Sequence, residues 1–297
     1  DIGSNAIRMM VADVIENSDP PGYKKVSLIR IPIRLGQDVF SKNKITGHNK
    51  KRLLSAMHGY KNIMDAFEVL DYRACATSAM REAKNGPRLV KKIEKETGIN
   101  IDIIDGKQEA EIIFATQAAA LLEKDKSYLY VDVGGGSTEL TIFSDNRFIT
   151  SHSFNIGTIR ILNGQIKKQN WQDMKNWLSE NVRQYQPIDV IGSGGNINKI
   201  FKSWGKFEER SMYYAELKGV YHFLKSFSYE DRIRKLGLNP HRADVIVPAA
   251  KIFLTVMKEI NSEKVYVPKI GLSDGIIRQI YLNYINRQPD VQKKKAV

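Results

Sequence analysis

Apolar and polar residues alternate directly after two glycine turns. Ile7, Met9 and Val11 alternate after Asp1-Ile2-Gly3-Ser4, and Leu140 and Ile142 alternate after Asp132-Val133-Gly134-Gly135-Gly136-Ser137. Period-two alternation predicts a strand. Each turn therefore predicts a hairpin, unlike the strand-to-helix turns that usually hold phosphate. The pattern after the first hairpin predicts a strand over 26–35 and an amphipathic helix over 49–68, with Leu53, Leu54, Met57, Tyr60, Ile63, Met64 and Phe67 on one face. A strand at 72–76, a helix over part of 79–97 closed by Gly98, a strand at 101–104 and a helix at 107–123 follow. After the second hairpin come a strand near 147–153, a helix near 171–185, a strand at 188–191 and a helix from about 196, then a strand at 264–268 and a helix at 273–287. Helical patterns at 213–236 and 241–260 are additional to this half.

The order β-β-β-α-β-α-β-α thus occurs twice. A duplicated α/β unit predicts two domains, each presenting a glycine turn to a shared cleft. The expected division is 1–120 and 121–297, with the boundary near Glu123 and with the C-terminal helix able to pack back on the first domain. A further strand is expected ahead of Asp1, and the polar tail from Arg287 onward is expected to be disordered.

Composition narrows the class. Of 297 residues, 42% are hydrophobic and 27% charged, as in soluble globular domains, and no apolar run is long enough to span a bilayer. A single cysteine, Cys75, excludes an internal disulfide framework, fits a reducing compartment, and reads as a small core residue on a strand. The net charge of +13 favours a polyanionic partner, whether nucleic acid, anionic membrane or a phosphate-rich substrate.

The glycine turns carry the candidate chemistry. Successive N–H groups without Cβ atoms form a concave anion site. Asp132 would repel phosphate directly, so its natural role beside one is to hold a divalent cation or water, and Asp1 holds the same place in the first hairpin. Gly192-Ser193-Gly194-Gly195-Asn196 is a third cluster, leading from a strand into a helix N-terminus. Asp105 and Gln108 have the spacing of a capping box, which leaves Glu109 uncommitted beside the buried stripe Ala110, Ile113, Phe114, Gln117, Ala118 and Leu121, with Glu111 facing solvent. Thr77, Ser78, Arg81 and Asn85 leave a strand into a helix and are donors suited to phosphate oxygens. The five histidines show no paired metal-ligand spacing. Trp171 and Trp177 read as packing residues, and no recognised nucleic-acid module accompanies the charge.

The segments "DIGSNAIRMM", "ATSAMREAKN", "GKQEAEIIF", "DVGGGSTEL", "GSGGN" and "HRADVIVPA" occur in the order found in the exopolyphosphatase/guanosine pentaphosphate phosphohydrolase (Ppx/GppA) family, which the chain resembles over nearly its whole length. The resemblance implies duplicated actin-like domains of the sugar kinase, Hsp70 and actin superfamily, in the short two-domain form. It implies hydrolysis of a terminal phosphoanhydride of inorganic polyphosphate, or of the 5′ γ-phosphate of pppGpp, with Mg2+. Glu109 then matches the general base. Asp132 and Glu139 match the carboxylates that position metal or water, with Asp1 as a third metal-site residue and Glu139 counted as catalytic too. The implied phosphate contacts are Gly3, Ser4, Asn5, Arg81, Gly134, Gly135, Gly136, Ser137, Thr138, Gly192, Ser193, Gly194, Gly195 and Asn196. Asn196 stands where the family has a hydroxyl donor, and Ser273-Asp274 where many members have Arg-Glu.

The expected protein is therefore a cytoplasmic, homodimeric exopolyphosphatase that binds neither nucleic acid nor membrane. The alternatives are a pppGpp phosphohydrolase and, in a different class, a polyphosphate or nucleotide sensor with little turnover.

Overall fold

The computed structural model describes residues 1–15, 22–114, 126–145, 147–205, 210–268 and 271–287. The chain forms two compact units, residues 1–116 with 271–297, and residues 117–270.

The first unit begins with the glycine turn and runs through β1 (Ile7–Ile15), β2 (Gly22–Ile31), α1 (Leu35–Lys42), α2 (Gly47–Ala66), β3 (Ala74–Ala76), α3 (Ser78–Glu82), α4 (Gly86–Thr97), β4 (Ile101–Ile103) and α5 (Gly106–Phe114). The second runs through β5 (Ser127–Val133), β6 (Thr138–Ser144), β7 (Arg147–Phe154), α6 (Thr158–Leu162), α7 (Lys168–Val182), β8 (Ile188–Ser193), α8 (Gly195–Trp204), β9 (Ser211–Tyr213), α9 (Tyr214–Ser226), α10 (Tyr229–Arg234), α11 (Pro240–Ala243), α12 (Ile246–Glu259) and β10 (Lys264–Tyr266). The last helix, α13 (Leu272–Arg287), belongs to the first unit. It lies so close to α5 that a Cβ at Gly275 would overlap the Ile112 carbonyl.

The second unit is built on one sheet of order β7-β6-β5-β8-β10-β9. β5 is antiparallel to β6 and parallel to β8. Its buried face carries Leu129, Val131 and Val133, which pack with Leu140 and Ile142 of β6 and with Ile252, Phe253 and Val256 of α12. The near-continuous apolar character of β5 and β8 follows from burial on both faces.

The first unit repeats that arrangement in outline. β1 and β2 are antiparallel with Ile7 opposite Ile31, and β3 and β4 are parallel. Ile2 bridges antiparallel to Ile7 and parallel to Ala76, as Val133 pairs with Thr138 and Asp132 with Ser193 in the second unit. The place that β5 fills in one unit is thus marked in the other by Ile2. Beside it lies a groove of about 670 Å³ lined by β1 and by Met57, Tyr60, Ile276, Ile280 and Tyr284.

Several expectations are corrected. The apolar run over 26–35 is a strand only to Ile31, and α1 begins at Leu35. The helix expected within 79–97 is two helices, because Ala83 is extended and the Asn85 side chain leaves the helix to bond both the N–H and the C=O of Ile45 at 2.9 Å. Phe67 lies beyond the last turn of α2 and is exposed rather than on its buried face. The short elements α1, α6 and β9 were not anticipated. The part of the predicted 107–123 helix beyond residue 114 lies outside the described residues, as does the tail from residue 288. Gly98 does close α4, with φ 73° and its N–H bonded to the Glu94 carbonyl at 2.8 Å.

Candidate functional site

The two glycine turns close in the same way. The Gly3 N–H donates to the Ala6 carbonyl at 3.1 Å, and the Gly134 N–H donates to the Ser137 carbonyl at 3.0 Å. A Cβ at either glycine would lie 3.2 Å from that same carbonyl oxygen, so both positions are tight for any larger residue.

In the second unit the turn is fastened from behind by the start of α6. The Gly134 carbonyl accepts from the Thr158 N–H at 3.1 Å and from its hydroxyl at 3.3 Å. The Gly135 carbonyl accepts from the Ile159 N–H at 2.9 Å, and the Gly136 carbonyl from Arg160 Nε at 2.7 Å. In a trans peptide, C=O and the following N–H point in opposite directions. Holding the carbonyls of Gly134, Gly135 and Gly136 against α6 therefore turns the N–H groups of Gly135, Gly136 and Ser137 the other way. Among the described residues these three N–H groups have no acceptor. A run of free amides of this kind is an anion cradle.

The first turn is fastened alike. The Ser4 carbonyl accepts from the Gly36 N–H at 2.8 Å and the Asn5 carbonyl from the Arg34 N–H at 3.1 Å, both at the start of α1. The Ser4 hydroxyl is buried and shares a 2.7 Å hydrogen bond with that of Ser78. Asn5 Oδ1 is buried with no hydrogen-bond partner among the described residues.

The aspartates differ between the turns. Asp1 pairs with Arg8 at 2.8 Å, which neutralises it locally. At the matching place in the second unit Asp132 lies opposite Glu139 on neighbouring strands, so two carboxylates share one sheet face. Glu139 is buried and accepts from the Ser153 hydroxyl at 2.9 Å. The Thr138 hydroxyl donates to the Ile156 carbonyl at 2.5 Å, which makes Thr138 a brace of the turn rather than a free donor.

The third cluster joins this group. β8 brings Ser193 beside Asp132, and Gly194, at φ 104°, passes so near β5 that a Cβ would lie 2.9 Å from the Val133 carbonyl and 3.3 Å from Asp132 Oδ1. Such a φ favours glycine, and here the space does too. The N–H groups of Gly195, Asn196 and Ile197, in the first turn of α8, have no acceptor among the described residues. Gly192 packs on Phe253, Val265 and Ile197, which fixes the loop to the core.

Other candidates fall elsewhere. Glu109 sits in the first turn of α5 and is buried, with Glu111 exposed as expected. The capping box is present: the Gln108 N–H donates to Asp105 at 2.8 Å, and the Asp105 N–H to the Gln108 side chain at 3.0 Å. Arg81 Nη1 donates to the Ile104 carbonyl at 2.7 Å, tying α3 to the end of β4. Asn85 is committed to Ile45 and is not available as a phosphate donor. Asp274 caps α13 through the Gly271 N–H at 2.9 Å and pairs with Lys25. Burial pushes the Cys75 thiol up, as suits a core residue and not a nucleophile. Arg160 and Gly157 were missed. Their signal is the short "NIGTIR" stretch, where glycine lies three residues beyond the end of a strand and a helix starts at the next residue.

Among the described residues no three His, Cys, Asp or Glu side chains form a preassembled metal site. Asp132 and Glu139 fit the demands of Mg2+, which takes oxygen donors and is usually held by one or two carboxylates together with substrate phosphates.

Fold and turns together define an α/β protein with duplicated phosphate-type loops. The chain belongs to the Ppx/GppA phosphatase family, whose model matches residues 14–284. It is 27% identical over 291 residues to a bifunctional 3-dehydroquinate synthase/phosphatase of Fusobacterium nucleatum, covering 90% of this chain and 44% of that protein. It is 22% identical to exopolyphosphatase 1 of Mycobacterium tuberculosis, covering 93% and 86%. Among solved structures, an exopolyphosphatase from Cytophaga hutchinsonii aligns with a TM-score of 0.80 at 24% identity, covering 95% of this chain and 96% of that one. The Aquifex aeolicus Ppx/GppA family member aligns at 0.75 and 21% identity, covering 97% of each chain. The α/β fold expected from the sequence is the fold of these structures.

The fastening of the turn predicts the effect of Gly157→Ala. The added Cβ would overlap the Gly135 carbonyl and the Gly136 backbone. Overpacking of this kind costs about 1–3 kcal/mol. The expected outcome is a lower melting temperature by differential scanning calorimetry together with weaker phosphate binding; wild-type values for both would contradict the packing described.

Proposed function

We propose that this protein removes terminal orthophosphate from inorganic polyphosphate by attack of water on a phosphoanhydride. The observation that carries the reading is the turn Gly134–Ser137, in which the carbonyls of Gly134, Gly135 and Gly136 are tied to α6 and the amides of Gly135, Gly136 and Ser137 have no acceptor among the described residues, beside the Asp132–Glu139 carboxylate pair. The exopolyphosphatases among the relatives and the net charge of +13 support a long polyanion as substrate.

In this reading the free N–H groups of Gly135, Gly136 and Ser137, with those at the start of α8, receive the oxygens of the terminal phosphoryl group. Gly3, Ser4 and Asn5 serve a second phosphate. Asp132 and Glu139 hold a divalent cation, proposed as Mg2+, which when bound neutralises charge on the phosphate oxygens. Asp1, paired with Arg8, is proposed as the matching metal-site carboxylate of the first turn. Glu109 takes the proton from the attacking water as its oxygen bonds to phosphorus and the bridging P–O bond breaks, and the shortened chain leaves with the bridging oxygen. The same chemistry acts on the γ-phosphate of pppGpp, and a guanosine-5′-triphosphate,3′-diphosphate pyrophosphatase of Photobacterium profundum is 23% identical to this chain. The cytoplasm is the proposed location and a homodimer the proposed assembly. Among the described residues no helix is long and apolar enough to cross a membrane.

Phosphate release from long-chain polyphosphate and from pppGpp, measured side by side with Mg2+, tests the substrate. We expect faster release from polyphosphate. Faster release from pppGpp reassigns the substrate, and binding without release from either leaves a sensor and overturns hydrolysis.

Glu109→Gln keeps size and removes basicity. Turnover is expected to fall by roughly 10²–10⁴-fold, the usual range for a general base. Melting temperature should hold, because Asp105 and Gln108 supply the cap. Near-normal turnover in Glu109→Gln, with loss in Glu111→Gln, would show the wrong carboxylate was chosen.

A further inference from the structure

Within the second unit, α7, α9 and α12 enclose a surface groove of about 310 Å³ that has no part in the glycine turns. Lys175, Lys218, Lys251 and Lys258 line it, against one carboxylate, Glu259. Lys175 pairs with Glu259 at 3.4 Å, and Lys251 lies over the Trp171 ring at 5.5 Å. Lys218, Lys251 and Lys258 are exposed and have no carboxylate within ion-pair distance among the described residues. Lys251 and Lys258 are seven residues apart on one helix, hence about 10.5 Å along its axis. They form a row rather than a point. Tyr214 and Tyr221, spaced the same way on α9, form part of the opposite wall.

The row runs away from the phosphate loop. Phe253, two residues after Lys251, packs under Gly192 on the inward side of α12. At its far end α12 stops beside the start of β8, where Gln186 donates to the Ile260 carbonyl at 2.9 Å. β8 has six residues, so its start lies about 17 Å from its loop end. Lys258, five residues beyond Phe253, lies about 7.5 Å further along α12 than the level of Gly192, so a ligand that touches both the loop and this lysine must extend along the helix.

We propose that this groove is a docking track for the distal part of a linear polyphosphate chain, separate from the loops that hold the reacting end. The inference rests on the reading of the protein as a polyphosphate hydrolase. A closely spaced linear polyanion matches uncompensated ammonium groups at two-turn intervals. Lysine suits it as a mobile point charge that needs no bidentate geometry. Tracking along a row of like sites holds the chain while its end is cut.

The test is a triple variant, Lys218→Gln with Lys251→Gln and Lys258→Gln, compared with the corresponding Lys→Arg triple. All three positions are exposed helix sites, and circular dichroism checks the fold. For polyphosphate of several hundred units, KM is expected to rise at least about tenfold in the Gln triple and to be restored in the Arg triple. For tripolyphosphate, KM and kcat should not change. The slope of log affinity for the long chain against log salt should fall by about 2–3, near the 0.7–0.9 per phosphate contact known for nucleic acids. If the wild type cuts long chains and the Gln triple matches it in KM and salt slope, the track is overturned while hydrolysis stands. If the wild type neither binds nor cuts polyphosphate, the underlying reading fails and the track with it. If the triple loses affinity for a single-stranded RNA oligonucleotide but not for polyphosphate, the groove belongs to nucleic acid and the proposal is overturned.

Discussion

The carbonyl groups of Gly134, Gly135 and Gly136 are all held by residues 158–160, through two backbone N–H groups, a hydroxyl and a guanidinium. Because the peptide unit is planar and trans, this fixes where the next three N–H groups point. Everything proposed for the site depends on that constraint. A loop of three glycines left to itself has the greatest conformational freedom of any sequence, and it would lose affinity to the entropy of ordering. Here the ordering is done in advance by a short helix behind the turn. The close approach of Gly157 to Gly135 is the steric expression of the same device.

The two halves of the chain keep the device and change the charge. Both turns close glycine onto the carbonyl three residues later, and both are fastened by the helix that follows the strand pair, α1 in one unit and α6 in the other. In the first unit the turn aspartate faces Arg8, and in the second it faces Glu139. One turn thereby pairs its aspartate with a cation, and the other sets it beside a second carboxylate. A neutral turn receives an anion through its amides alone. In the proposed reading, a turn with two carboxylates receives one through a cation held between carboxylates and phosphate. The duplication thus supplies two chemically distinct loops from one backbone pattern.

Much of this was legible in the sequence, and the remainder was hidden for identifiable reasons. Alternation at Ile7, Met9 and Val11, and at Leu140 and Ile142, marked the hairpins because apolar residues at every second position are the signature of a strand. Gly98 and the Asp105–Gln108 pair marked helix ends because caps use side chains or glycine, which a sequence displays. The braces α1 and α6 escaped because they are eight and five residues long and act through backbone N–H groups, which leave almost no compositional trace. Arg34 was absorbed into the strand expected over 26–35, while Gly36, Gly157 and Arg160 fell between expected elements and were assigned to none. Asn85 looked like a phosphate donor because an amide that bonds a neighbouring loop and one that bonds a ligand read alike along the chain. The row of Lys218, Lys251 and Lys258 was hidden because its members lie on two helices that only the tertiary fold brings together.

The orientation of the turn amides can be observed one residue at a time. In protein labelled with nitrogen-15 and titrated with tripolyphosphate and Mg2+, backbone resonances report which N–H groups meet the anion. The account predicts that the largest changes in the second unit fall on Gly135, Gly136 and Ser137, with smaller ones at Gly195 and Asn196, while the Gly134 N–H, already bonded to Ser137, moves least among the turn residues. Saturable binding that leaves Gly135, Gly136 and Ser137 unmoved would contradict it.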